Sequence, residues 1–150
     1  MNGRLRKFFA LEPRRRRYLL RAFGQLRNAR RALRRRPFRE LVPVVQANSH
    51  PASHPGPSAG DMSRAQDIGW AVRTAARYAP GDNSCLVQVL AARELLLEAD
   101  VGGTIYIGAG QGGENTADRF GAHAWLKCGD EFVTGEAGHE RYTVIAVVSW

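Results

Sequence analysis

The sequence predicts an α+β fold, helices followed by a small antiparallel sheet. Apolar residues recur at spacings of three and four as far as about residue 99, and strand-like runs broken by Gly-containing turns fill the chain from 104 onward. The length, 150 residues, suits one compact unit with an appendage rather than two domains.

Pro13 can open a helix and Pro37 would end one, which brackets a segment over 13–36. Within it Leu19, Ala22, Phe23, Leu26, Ala29 and Leu33 form one apolar stripe, and arginines crowd the remaining surface. Residues 46–62 contain Pro51, Pro55 and Pro57 and almost no bulky apolar side chain, so they read as a linker, with His50 and His54 solvated. The expected organisation is a basic helical segment over 1–45, the linker 46–62 and a core over 63–150.

Ser63 followed by Gln66 predicts a capping box, and Ile68, Ala71, Val72, Ala75 and Tyr78 give the next helix its apolar face. Pro80-Gly81 stops that helix. Asp82, Asn83 and Ser84 then supply cap-type side chains before a helix from Cys85 to about Ala99, closed by Gly102-Gly103. Strands are expected at 104–108, 121–128, 131–135 and 142–148, with a Gly-rich polar loop over 111–120 and a two-residue turn at Gly129-Asp130.

The charge is unevenly distributed. Residues 1–50 carry 15 Lys+Arg against 2 acids, a net of +13, whereas residues 51–150 carry 7 against 12, a net of −5. Only Lys7 and Lys127 are lysines, so the basic segment is built from planar, permanently charged guanidinium groups. Such a helix suits an acidic partner or a membrane surface, or its stripe completes a core and its arginines are solvated. Nucleic acid is not expected, because aromatic rings are not interleaved with the arginines as stacking platforms.

No apolar run approaches the ~18 residues of a membrane span. The stretch Tyr18-Leu19-Leu20 is broken by Arg21, which argues against a secretory signal. Two cysteines are too few for a disulfide scaffold, so a cytoplasmic protein with free thiols is expected, at most peripheral at the inner membrane face.

Cys85 is the most informative residue. Backbone N–H groups and the dipole at a helix N-terminus favour negative charge, and the thiolate is the nucleophilic form of cysteine. The same N–H groups can stabilise an oxyanion once the sulfur attacks a carbonyl. A partner must take the thiol proton and later return it, and His123 in Ala122-His123-Ala124-Trp125 qualifies. If Gly129-Asp130 is a two-residue hairpin loop, counting outward places Glu136 opposite His123, which nominates Glu136 to orient the imidazole. Asp130 is the alternative third triad member. A one-residue bulge would overturn this register. Zinc on Cys85, His123 and Cys128 is disfavoured, since no C-x-x-C pair exists and strand parity points His123 and Cys128 apart. No metal or other cofactor is expected.

The run from Ser84 to Leu97, with Ile105-Tyr106-Ile107-Gly108 and Ala122-His123-Ala124-Trp125-Leu126, resembles the B proteins of lasso-peptide biosynthesis, leader peptidases of the transglutaminase-like, microcin-processing cysteine peptidase family. Pro13-Arg14-Arg15-Arg16, Pro37-Phe38-Arg39, Arg77-Tyr78 and Glu140-Arg141-Tyr142 extend the resemblance over most of the chain. It implies a papain/transglutaminase-like cysteine-peptidase core that removes the leader from a ribosomally made precursor peptide. The implied partners are that precursor, a separate leader-recognition protein and an ATP-dependent, asparagine-synthetase-like cyclase that closes the macrolactam. The chain departs from the family in a long 111–120 loop, and in Gly135, shortly before Glu136, where members often carry Asp. Two other functions are compatible with the residues: a transglutaminase-like acyltransferase using the same triad, and a non-catalytic basic adaptor binding a membrane, nucleic acid or an acidic partner.

Overall fold

The computed structural model describes residues 3–42, 45–46, 56–110 and 121–150. His50 and His54, read as solvated linker residues, and the 111–120 loop lie outside the described residues. In chain order come α1 (Gly3–Phe9), α2 (Pro13–Arg35), α3 (Phe38–Leu41), β1 (Val45–Gln46), α4 (Ala59–Tyr78), α5 (Cys85–Glu98), β2 (Thr104–Gly110), β3 (Gly121–Cys128), β4 (Glu131–Thr134), a 3-10 turn (His139–Arg141) and β5 (Thr143–Ser149). The strands form one five-stranded sheet in the order β1-β5-β2-β3-β4, every pair antiparallel. The expected four strands gain β1, whose Gln46 pairs with Ala146 and so belongs to the sheet rather than to the linker.

Local chemistry explains the helix ends. Pro13 occupies the first turn of α2, where its missing N–H costs nothing. Helix α4 starts five residues earlier than a Ser63 cap predicts, because Ser58 and Asp61 make the capping box: the Asp61 amide donates to the Ser58 hydroxyl and the Ser58 amide to the Asp61 carboxylate. The Ser58 hydroxyl, its amide and Arg64 together hold the Asp61 carboxyl below the usual range. The cap is therefore complete above the ordinary carboxylate pKa and is lost only as pH falls through the depressed one. At the other end, Pro80 forces Ala79 out of helical geometry. Beyond the end of α5, Asp100 has a φ of +55° and takes the left-handed position expected of Gly102-Gly103, and the Val101 amide reaches back to the Leu96 carbonyl.

Helix α2 packs on α4 and α5, which pack in turn on β3 and β4. Its Ala22, Leu26 and Ala29 are buried in the same core as Ile68, Leu95, Leu96 and the sheet residues Ile105, Ala124 and Leu126. The basic segment is thus an integral layer. Polar ties reinforce it: the buried Asp67 of α4 receives Arg14 at 2.5 Å and Arg15 at 2.7 Å, and Glu98 at the end of α5 receives Arg21 at 2.6 Å. Among the described residues no helix is long and apolar enough to cross a membrane.

The buried stripe sets the expected energetics. Leu26→Ala should destabilise the full chain by about 2–5 kcal/mol in urea unfolding, the usual cost of emptying a packed leucine site. Leu20→Ala, on the outward face of the same helix, should cost less than about 0.5 kcal/mol. Equal effects would mean that α2 does not pack as described.

Candidate active site

Cys85 is the first residue of α5, and three elements hold the turn that delivers it. The Asn83 amide group donates to the carbonyls of Ala76 and Ala79, satisfying the end of α4, while the Arg30 guanidinium from α2 donates to its side-chain oxygen. Gln88 donates to the Asn83 carbonyl, and the Ser84 amide donates to Asp82. Ser84 offers the first turn no side-chain acceptor, and the first intrahelical bond runs from the Gln88 amide to the Ser84 carbonyl. The amides of Cys85, Leu86 and Val87 therefore lack an intrahelical partner, which is the arrangement that binds an anion. Cys85 itself is half-buried against the core.

His123 lies near the start of β3, opposite Gly108 of β2. The short 99–103 connection reverses the chain between α5 and β2, and β3 reverses it again, so Cys85 and His123 fall at the same end of the domain. Alternation turns Ala124, Leu126 and Cys128 into the helical core and puts His123 and Trp125 on the other face. There the imidazole lies 5.8 Å from the Trp125 ring and 5.1 Å from that of Tyr142, and Trp125 also stacks on Tyr106 at 5.7 Å. Its Nε2–H donates to the Gly135 carbonyl at 2.7 Å. A carbonyl only accepts, so the proton sits on Nε2 and Nδ1 keeps a lone pair free to take another.

The register that nominated Glu136 does not hold. Cys128 faces Glu131 and Lys127 faces Phe132 as counted, but Leu126 then faces Thr134, so Val133 is an extra residue on β4. The cause lies in α4. Gly69, whose Cβ would come within 2.6 Å of the Val133 oxygen, lets the helix approach that closely, and the Arg73 guanidinium donates to the same carbonyl. Turned toward α4, this carbonyl leaves the ladder. Beyond the bulge Gly135 takes a φ of +78° and presses on Ala124 and Trp125, where any Cβ would lie 2.5 Å from the Ala124 oxygen. The acceptor for His123 is consequently the Gly135 main chain rather than the exposed Glu136 carboxylate. Glu136 acts on Arg73: burial lowers the guanidinium pKa and the Glu136 charge raises it again. Asp130 is also excluded as the orienting group, because its turn lies at the far end of β3, five residue steps or roughly 17 Å from His123.

Among the described residues no hydrogen bond joins Cys85 to His123, and both cysteines are free thiols. Three His, Cys, Asp or Glu side chains do not converge anywhere in the described residues. The Arg30–Asn83 contact and the Gly135 carbonyl escape sequence reasoning: Arg30 is one of ten arginines on α2, and a main-chain acceptor has no side-chain signature.

A family model of the transglutaminase-like superfamily matches residues 14–147, spanning α2 as well as the sheet. Searches of curated proteins and of solved structures gave no match. With a helix that starts on Cys85, a strand that carries His123 and a family match over nearly its whole length, the chain belongs to the transglutaminase-like superfamily.

Proposed function

We propose that the protein is a cysteine peptidase that removes the leader from a ribosomally synthesised lasso-peptide precursor, so that a partner cyclase can close the macrolactam. The observation that carries the reaction type is Cys85 at the start of α5 with three first-turn amides free of intrahelical acceptors. The substrate class rests on the run around Cys85 and the Ala122-His123-Ala124-Trp125 signature. A separate recognition protein would present the precursor.

In the proposed reaction His123 Nδ1 takes the proton from the Cys85 thiol as the sulfur attacks the scissile carbonyl. The amides of Cys85, Leu86 and Val87 stabilise the oxyanion. His123 then gives its proton to the departing core amine, and water hydrolyses the thioester to free the leader carboxylate. The Gly135 carbonyl holds the ring in the required tautomer throughout. His123 lies on the sheet face turned away from the helical core, so the proposed reaction requires substrate binding to bring its imidazole to the start of α5. Acyl transfer begins with the same attack and differs only in the acceptor. A leader product with a free carboxylate marks hydrolysis, and one with an amide marks transfer.

Cys85→Ala and His123→Ala should each reduce cleavage of the cognate precursor by about three orders of magnitude or more, followed by mass spectrometry, with the thermal unfolding midpoint preserved. Undiminished cleavage by Cys85→Ala would overturn the proposal. Glu136→Gln should stay within about tenfold of wild type if the Gly135 carbonyl orients the ring, and a thousandfold loss would return that role to the carboxylate. The thiols should also differ. Burial, with the Asp61 charge second, pushes the Cys128 thiol up, and Cys128 is fully buried. Iodoacetamide at neutral pH should therefore place one adduct on the native protein, at Cys85, and a second only in denaturant. Two adducts on native protein would contradict the burial of Cys128.

A further inference from the structure

A cleft of about 820 Å³ opens beside the start of α5, within the size range of sites that hold small ligands and short peptide segments. Ser84 and Leu86, the residues on either side of Cys85, form part of its lining, together with Arg30, Leu33 and Arg34 of α2 and Phe38 of α3. An occupant would therefore lie against the helix end that carries the thiol.

The charges of this cleft are unbalanced. Arg34 is exposed and has no hydrogen-bond or ion-pair partner among the described residues. Arg30 is bound to the neutral oxygen of Asn83, so its charge is not cancelled either. Against them stands Asp82, whose carboxylate already accepts the Ser84 amide. Leu33, Phe38 and Leu86 are half-buried and give the cleft an apolar wall. A guanidinium beside an apolar wall matches a carboxylate carried next to an apolar side chain, and the planar fork grips a carboxylate through two hydrogen bonds. A free phosphate or a nucleic-acid backbone would leave the apolar wall unused.

We infer that this cleft is a substrate subsite of the Cys85 site, that it selects a peptide segment carrying Asp or Glu next to an apolar residue, and that Arg34 reads the carboxylate. The inference deepens the peptidase reading and rests on it for the identity of the occupant. It also gives the arginine helix a part in substrate selection beyond its packing.

The test uses the full-length Cys85→Ala protein and two fluorescein-labelled octapeptides that differ only in a central Glu-Leu or Lys-Leu, with binding followed by anisotropy at about 0.15 M salt. The Glu peptide should bind about tenfold tighter, a typical return on one charge-assisted contact. Arg34→Glu in the same background should invert the preference. Arg27→Glu, an equal charge change on the outward face of α2, should leave it in place. Equal binding of the two peptides, a preference that survives Arg34→Glu, or one lost equally in Arg27→Glu would overturn the inference. Because the readout is binding by a protein without the thiol, failure here and failure of cleavage remain separate results.

Discussion

The burial of Ala22, Leu26 and Ala29 between α4 and α5 is the contact on which the rest of the structure depends. Helix α2 carries ten arginines and no acid. Four of its arginine pairs, 17/21, 27/31, 30/34 and 31/35, stand at i,i+4, each repelling by about 0.2–0.5 kcal/mol, so the helix is a poor one in isolation. Burying Leu26 alone returns about 1.5–3 kcal/mol, and the two alanines add to it. Packing thus outweighs the self-repulsion. The polar ties to Asp67, Glu98 and Asn83 then fix how the helix sits on the layer beneath.

That placement reaches the chemistry along two routes. On one side Arg30 of α2 holds Asn83, Asn83 closes α4, and the chain leaves the turn with Cys85 as the first residue of α5. On the other, α4 comes close enough at Gly69 and Arg73 to draw the Val133 carbonyl out of the β3–β4 ladder. The resulting bulge brings the Gly135 carbonyl onto His123. The residues proposed for catalysis are therefore positioned from the helical layer, whereas their neighbours within the sheet only complete the surroundings. A wall of the cleft beside Cys85 is α2 itself, so the basic segment contributes to the site's shape and its charge.

Much of this was legible in the sequence. The order of helices and strands, the stripe on α2, the position of Cys85 at a helix start and the strand carrying His123 all follow from periodicity and from proline and glycine punctuation. Less of it was visible where geometry turns on tertiary contact. The Ser58/Asp61 cap competed with an equally good Ser63/Gln66 pattern, and no local rule separates them. The two-residue strand β1 exists only because β5 offers it an edge. The bulge at Val133 arises from a glycine and an arginine sixty or so residues earlier, so a register counted from the hairpin alone could not find it. For the same reason a count from the hairpin points to Glu136, whereas the group that accepts from His123 is the Gly135 carbonyl.

Packed in this way, the arginine helix and the Cys/His half of the chain form one cooperative unit. Native-state hydrogen exchange on the full-length protein tests it most directly. Amides in the buried middle of α2, from Ala22 to Ala29, should exchange only through the same global opening as those of α4 and α5, with matching dependence on denaturant. Exchange of α2 through a separate, lower-energy opening, while α4 and α5 stay protected, would contradict it.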